Sequence, residues 1–157
     1  MLNLLGEFNR IIEALQGTRI RYALAGGLAV AVHGGVRSTE DIDFLVHFDD
    51  VGEFKVILRK LGYRISRDPW TFPNSRLTLH RLWRAQPDRE ELLMVDLLAA
   101  HTQRHLDMLA RARDEKWAQG VLKTLSKEDL IEMKKMRYSK KDQADIEVLK
   151  GDRHAEG

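Results

Sequence analysis

Apolar and polar residues alternate along the chain in patterns typical of both helices and strands. Apolar positions spaced every three or four residues predict a helix over 2–16, and a short apolar run predicts a strand over 20–25. Alternating helices and strands favour an α/β (α+β) fold with a mixed β-sheet flanked by helices. The pattern also predicts helices over 27–34, 50–61, 98–117 and 126–137, a closing element over 140–150, and strands over 41–47, 63–67, 77–83, 91–97 and 121–125.

Two carboxylates open the predicted strand 41–47. Side chains alternate between the faces of a strand, so Asp41 and Asp43 point the same way while Ile42 points to the opposite face. Adjacent carboxylates repel each other and are costly unless a cation lies between them. Magnesium prefers oxygen ligands and commonly binds one or two carboxylates together with substrate phosphates. A solvated strand end is the alternative interpretation.

A glycine pair precedes these acids. Gly26 and Gly27 lie between predicted strand 20–25 and predicted helix 27–34, where a backbone without Cβ atoms can approach a bulky anion. The following helix N-terminus offers free N–H groups to phosphate. The chain has neither the Gly-Lys-Ser/Thr ending of a P-loop nor the G-x-G-x-x-G of a dinucleotide fold, which excludes those two phosphate motifs.

A third carboxylate interrupts a later apolar run. Asp96 lies within Leu92–Leu98, a pattern typical of a strand buried on both faces. Charged groups are rarely buried unless they are paired or bind a metal, so Asp96 is the candidate to complete a set of three acids. A carboxylate that caps the following helix is the alternative.

Residues 24–46, LAGGLAVAVHGGVRSTEDIDFLV, resemble the core motif of the DNA polymerase β nucleotidyltransferase superfamily. More narrowly, they are similar to small nucleotidyltransferase-like proteins related to the AbiEii toxins. The resemblance implies a nucleotidyltransferase-like fold and a catalytic, metal-binding set formed by Asp41, Asp43 and Asp96. It also implies Mg²⁺ or Mn²⁺ as cofactor, an NTP such as ATP as substrate, and the glycine pair as part of the nucleotide site.

The resemblance continues near the C-terminal end. Ser126 is the expected N-cap of helix 126–137, with Asp129 at the third helical position. Relatives carry a lysine thought to reach the triphosphate, which makes Lys134 the candidate here, followed by a Lys-Asp-x-x-Asp-Ile element matched by residues 141–146. Relatives often have an arginine where this chain has Ser139, so a role for Arg137 is in doubt. A solvated basic helix face is the alternative.

Other cations and histidines have open interpretations. Arg37 either contacts substrate phosphate or neutralises the acidic strand end. His33 is expected to make a structural hydrogen bond rather than take part in chemistry. His101 and His105 have the spacing of zinc ligands on a helix, but no HExxH glutamate or third ligand accompanies them. Basic residues form either a guide for an RNA or protein acceptor or a solvated surface: Arg104, Arg111, Arg113, Lys116 and the cluster 134–141.

Composition limits the class of protein. A chain of 157 residues with 43% hydrophobic and 32% charged residues predicts a single compact domain over 1–157, and the resemblance implies that this domain is nucleotidyltransferase-like. No apolar run is long enough to span a bilayer, so no membrane partner is expected. The absence of cysteine and of a secretory signal is compatible with a cytoplasmic location. A net charge of +2 is too small for nonspecific nucleic-acid binding on charge alone.

The resemblance, together with the three acids and the glycine pair, therefore implies a metal-dependent nucleotidyltransferase that moves a nucleoside monophosphate from an NTP to a hydroxyl of an RNA or protein acceptor. The Asp43→Asn change is expected to abolish turnover and leave the fold intact. Two other hypotheses stay open. One is a noncatalytic nucleotide- or partner-binding module with the same fold, and the other, suggested by the AbiEii resemblance, is the toxin of a toxin–antitoxin pair with an antitoxin partner.

Overall fold

A computed structural model of the chain describes residues 4–33, 41–66, 69–73, 75–85, 92–137 and 149–150. The helices are α1 (Leu4–Leu15), α2 (Gly26–Val32), α3 (Val51–Lys60), α4 (Gln103–Ala110) and α5 (Lys127–Arg137). The strands are β1 (Tyr22–Ala25), β2 (Asp41–His47), β3 (Arg64–Ile65), β4 (Trp70–Thr71), β5 (Thr78–Ala85), β6 (Leu92–Ala100), β7 (Arg113–Trp117) and β8 (Gly120–Thr124).

The strands join one eight-stranded sheet in the order β3-β5-β6-β2-β1-β8-β7, with β4 paired to β5. The central strand β2 runs parallel to β6 on one side and antiparallel to β1 on the other. β1 also pairs in parallel with β8, while β5 with β6 and β7 with β8 form antiparallel pairs. A mixed sheet flanked by helices confirms the predicted fold class.

The two faces of β2 are covered by different helices. Phe44 points to the face on which α1 and α3 pack, where its ring lies 6.4 Å from that of Phe8 and 5.1 Å from that of Phe54. Because side chains alternate between the two faces of a strand, Asp43 lies on the opposite face, beside α5. Helices α4 and α5 are joined by an ion pair between Arg104 and Glu132. The aromatic core therefore lies on one side of the sheet and the acids lie on the other.

The predicted helix 98–117 is wrong. Strand β6 continues through Ala100 because its last residues stay in register with the end of β2. The hydroxyl of Thr102 then accepts a hydrogen bond from the N–H of His105 and caps α4. After this short helix, residues 113–117 pair with β8 as an edge strand. Pairing with a later segment, which no local pattern reveals, gave these polar residues an extended conformation.

The remaining boundaries are close to the predicted ones. The strand over 41–47 is confirmed at both ends, and the hairpin of 77–83 with 91–97 is present as β5 and β6. The predicted strand 63–67 is reduced to β3, and the sequence pattern missed β4. Most of the predicted element 140–150 lies outside the described residues, and the single domain over 1–157 stays a prediction.

None of the helices in the described ranges is long and apolar enough to cross a lipid bilayer. The cytoplasmic location stays a prediction from the sequence.

Candidate active site

Three carboxylates share one face of the sheet. Asp41 and Asp43 project from the same side of β2, and the parallel register of β2 with β6 makes Asp43 and Asp96 direct neighbours. Adjacent strands lie about 4.8 Å apart, so the side chains of Asp43 and Asp96 stand side by side. The structure therefore brings the sequence-predicted acids together.

The glycine turn closes against one of these acids. Gly26 follows β1 directly and has a φ of +66°, a conformation that residues with a Cβ rarely adopt. A Cβ at this position would overlap the Asp43 carboxylate and lie 2.8 Å from its Cγ. Gly27, the second residue of α2, is buried. The turn therefore requires glycine at position 26, and the backbone there touches the acidic side chain.

A buried lysine lies at the same place. Lys134 projects from α5, is only 4% exposed, and lines a cavity together with Gly26 and Asp43. Lysine is rarely buried to this extent, and its presence in the lining puts a cationic residue beside Asp43. The other lining residues are mainly apolar: Ala25, Phe72, Ser75, Leu77, Leu98, Leu130 and Met133.

An arginine that sequence reasoning missed holds the third acid. In the antiparallel register of β5 with β6, Arg81 is the direct partner of Asp96. Its Nε donates to one carboxylate oxygen at 2.8 Å and its Nη2 to the other at 2.9 Å. These hydrogen bonds, with the negative charges of Asp96, Asp41 and Asp43, raise the pKa of Arg81 above its usual value. Only the register of the hairpin could have revealed this pair from the sequence.

Across the part of the chain that the structure describes, no group of three or more histidine, aspartate or glutamate side chains is arranged to hold a metal ion. Asp41 and Asp43 nevertheless fit one magnesium ion, which commonly takes one or two protein carboxylates and completes its shell with water and substrate phosphates. Asp43 lines a cavity that Lys134 also lines, and this placement suits an ion bound with a phosphate group. The role of Asp96 as a metal ligand stays a prediction.

The predicted N-cap of helix α5 is confirmed. The hydroxyl of Ser126 accepts a hydrogen bond from the N–H of Asp129 at 3.1 Å, as expected for an N-cap. The Asp129 carboxylate binds both Nε and Nη2 of Arg111, so these residues form a structural ion pair between α5 and the end of α4. Residues 138–148, which include Ser139 and the lysine–aspartate element, lie outside the described residues, as does the side chain of Arg137.

The proposed basic surface is partly neutralised. Arg104 binds Glu132 at 2.8 Å and Arg111 binds Asp129 at 2.8 Å, while Lys134 is buried rather than exposed. Arg113 and Lys116 are exposed on β7. Residues 138–141 of the cluster lie outside the described residues, and both interpretations of this surface stay predictions.

The histidines make structural contacts. Nε2 of His33 lies 2.9 Å from the carbonyl oxygen of Leu125, which confirms the expected structural hydrogen bond. His101 precedes α4 and stacks on Phe48, whereas His105 is buried within α4 and pairs with Thr102. The two rings therefore do not share one helix, and the zinc spacing is not realised. Arg37 lies outside the described residues.

The fold is similar to that of several solved structures. A protein of Thermotoga maritima assigned as a nucleotidyltransferase has a TM-score of 0.62 at 14% identity, covering 82% of this chain and 81% of its own. The antibiotic-resistance factor ANT(2'')-Ia also has a TM-score of 0.62, at 19% identity over 97% of this chain and 85% of its own. The lincosamide antibiotic adenylyltransferase LnuA has a TM-score of 0.60 at 17% identity over 92% of this chain and 95% of its own.

A comparison with curated protein sequences found no match. The AbiEii resemblance, and the toxin role that it implies, stay predictions. The model of one protein family, described as uncharacterised nucleotidyltransferase, matches residues 1–137. Because that match spans most of the chain, and the fold agrees with it, the chain belongs to this nucleotidyltransferase family.

Proposed function

We propose that this protein transfers a nucleoside monophosphate from an NTP to a hydroxyl group of an acceptor, with Mg²⁺ or Mn²⁺ held by Asp41 and Asp43. The observation that carries the proposal is the contact of the Gly26 turn with Asp43 in a cavity that also contains the buried Lys134. A backbone turn, a carboxylate and an ammonium group at one point suit a metal-bound triphosphate.

Each of these groups has a distinct task. Asp41 and Asp43 bind the cation, and Gly26 allows the backbone to approach the phosphates without a side chain in the way. Lys134 places a positive charge where the β- and γ-phosphates are expected. When bound, the divalent ion neutralises charge on the triphosphate and helps the leaving pyrophosphate.

The acceptor hydroxyl attacks the α-phosphorus as the bond to pyrophosphate breaks. We propose that Asp96, which the resemblance places in the catalytic set, helps to activate that hydroxyl. Each oxygen of Asp96 accepts one hydrogen bond from Arg81 and keeps a further lone pair that could accept the hydroxyl proton. We propose an RNA or protein as acceptor; ANT(2'')-Ia and LnuA, which share the fold, are linked to antibiotics.

The test compares two neighbouring acids. Calorimetric titration of each NTP with and without magnesium is expected to show magnesium-dependent binding by the wild type. The Asp43→Asn variant should bind NTP with magnesium more than about a hundredfold more weakly. Residues that only orient metal ligands already contribute about 10- to 100-fold to metal affinity or activity. The control is Asp49→Asn, an exposed acid just beyond the other end of β2, which should bind normally. Equal binding by wild type and Asp43→Asn would refute the metal assignment.

One observation favours a second candidate, a nucleotide-binding module without transfer activity. The Arg81–Asp96 ion pair engages an acid that the resemblance places in the catalytic set. Such a module would bind NTP with magnesium but release no pyrophosphate, whatever acceptor is offered. Pyrophosphate release in the presence of RNA or protein fractions therefore separates an enzyme from a binding module.

A further inference from the structure

The lining of the candidate cavity is more apolar than a metal ion and phosphates require. Gly26, Asp43 and Lys134 are among the lining residues, but most of the others are apolar, including Phe72 and Leu98. Charged phosphate oxygens are stabilised by hydrogen bonds and cations rather than by apolar contacts. The apolar part of the lining therefore suits a different part of the substrate.

An exposed tryptophan extends this apolar lining. The ring of Trp70 lies 4.3 Å from that of Phe72 at an interplanar angle of 70°, so the two rings form an edge-to-face pair. Phe72 lines the cavity, and Trp70 is 55% exposed. Tryptophan is usually well buried in a folded protein. Phe72 thus connects the cavity to an aromatic surface that solvent can reach.

The strand register puts Trp70 on the same face of the sheet as the acids. Trp70 pairs with Leu79 in β5, which pairs in turn with Leu98 in β6. Leu98 is the partner of Leu45 in β2, two residues from Asp43. Residues that pair across a ladder project from one face, and so do residues two apart on one strand. A row of apolar side chains therefore runs beside the acids and ends at Trp70.

Resting on the proposed function, we propose that Trp70 and Phe72 bind the nucleobase of the NTP by stacking. An NTP joins a charged triphosphate to a flat aromatic base. The site likewise joins charged residues, Asp43 and Lys134, to an aromatic pair through one cavity. Aromatic side chains stack on nucleobases because both present π-faces, and every base has such a face. Trp70 is then a substrate-binding residue that takes no part in the transfer step itself.

Inorganic triphosphate, which carries phosphates without a base, tests this proposal against ATP. In calorimetric titrations with magnesium, the wild type is expected to bind ATP more tightly than inorganic triphosphate by about 5- to 150-fold, the contribution of one stacked base. Trp70→Ala should bind ATP about fivefold or more weakly than the wild type and bind inorganic triphosphate with unchanged affinity. Trp70→Phe keeps an aromatic face and should retain most of the affinity for ATP.

Tryptophan fluorescence gives an independent measurement on the wild type. A base stacked on Trp70 should quench part of the emission, whereas inorganic triphosphate should not. The other two tryptophans of the chain, Trp83 and Trp117, lie on β5 and β7. Quenching by ATP should therefore disappear in Trp70→Phe, although that variant still binds ATP.

Phe48→Ala is the matched control. Phe48 is an aromatic residue of similar exposure, 43%, and its ring stacks on those of His47 and His101 just beyond the other end of β2. Removal of this ring should leave both the affinity for ATP and the quenching unchanged. Equal losses in Phe48→Ala and Trp70→Ala would show a general effect of removing an exposed ring and would count against stacking on Trp70.

The outcomes separate this proposal from the proposed function. If ATP bound no more tightly than inorganic triphosphate, or if Trp70→Ala left the affinity for ATP unchanged, the role of the aromatic pair would be overturned and the metal and phosphate site would stand. If Trp70→Ala weakened only the binding of an RNA oligonucleotide, the pair would serve the acceptor, which also overturns the proposal. If the wild type bound neither ATP nor inorganic triphosphate with magnesium, both proposals would fail.

Discussion

The two faces of strand β2 differ in what they contact. On one face, Phe44 is fully buried among aromatic rings, 5.7 Å from Tyr22 and 5.1 Å from Phe54. On the other face, Asp43 touches the backbone of Gly26 and stands beside Asp96. Phe44 therefore serves core packing, while its neighbour Asp43 lies in the candidate site. Because a strand alternates its side chains, the site can hold repelling acids while the opposite face supplies the stability.

The largest expected effect is on the aromatic face. The Phe44→Ala change should lower the free energy of unfolding by about 3–5 kcal/mol, because it removes a fully buried ring and leaves a cavity. Urea denaturation measures the change. Magnesium-dependent triphosphate affinity of the folded protein should persist, since the ring lies on the face opposite the acids.

A matched control for this change is Val56→Ala in α3, where the side chain is 51% exposed. That substitution should change the free energy of unfolding by no more than about 0.5 kcal/mol. The separation of the two faces would be refuted if Phe44→Ala abolished nucleotide binding in protein that is still folded.

A smaller effect on stability, with a larger one on function, is expected at Gly26. The Gly26→Ala change should cost about 1–2 kcal/mol of unfolding free energy, because a residue with a Cβ is strained at a positive φ. The new methyl group must also displace the Asp43 carboxylate. Calorimetry should show triphosphate affinity reduced by roughly tenfold or more. A displacement of a site group by about 1 Å can lower the reaction rate about a hundredfold.

Gly52→Ala is the control for this glycine. Position 52 lies in α3, and no atom lies within 4 Å of the Cβ that alanine would add. Alanine there should stabilise the protein by about 0.5 kcal/mol and leave nucleotide binding unchanged. Equal behaviour of the two variants would show that the contact of Gly26 with Asp43 has no functional importance.

The smallest expected effect comes from His80, a polar residue on the apolar side of β5. Burial, helped by the positive charges of Lys55 and His101, lowers the pKa of His80 from 6.5 to about 4. At a pH between these two values, the His80 ring is therefore protonated in the unfolded chain but neutral in the folded chain. This contribution to stability is present above pH 6.5 and is lost as the pH falls toward 4.

The His80→Leu variant should remove this part of the pH dependence. Thermal unfolding of wild type and variant between pH 8 and pH 4 measures it, and the difference in melting temperature should shift in favour of the variant as pH falls. Burial also lowers the pKa of His105, so some of the slope should remain. Parallel pH profiles for the two proteins would contradict the assignment to His80.

The sequence alone determined the elements that local pattern can specify. Alternation and apolar runs were enough to predict β2 at both ends, the glycine turn before it, and Asp96 within a buried strand. The capping serine of α5 was also visible, because an N-cap acts within one helical turn. The resemblance of residues 24–46 to a nucleotidyltransferase core motif then indicated the family, and the family match over residues 1–137 agrees.

The tertiary structure decided which of these residues meet. The register of β2 with β6 placed Asp43 beside Asp96, and the register of β5 with β6 placed Arg81 on that same acid. Packing of α5 buried Lys134, and pairing with β8 made a strand of residues 113–117. Register and packing arise from hydrogen bonds and contacts between segments distant in sequence. No window of neighbouring residues contains that information, so the Arg81–Asp96 ion pair became visible only in the folded chain.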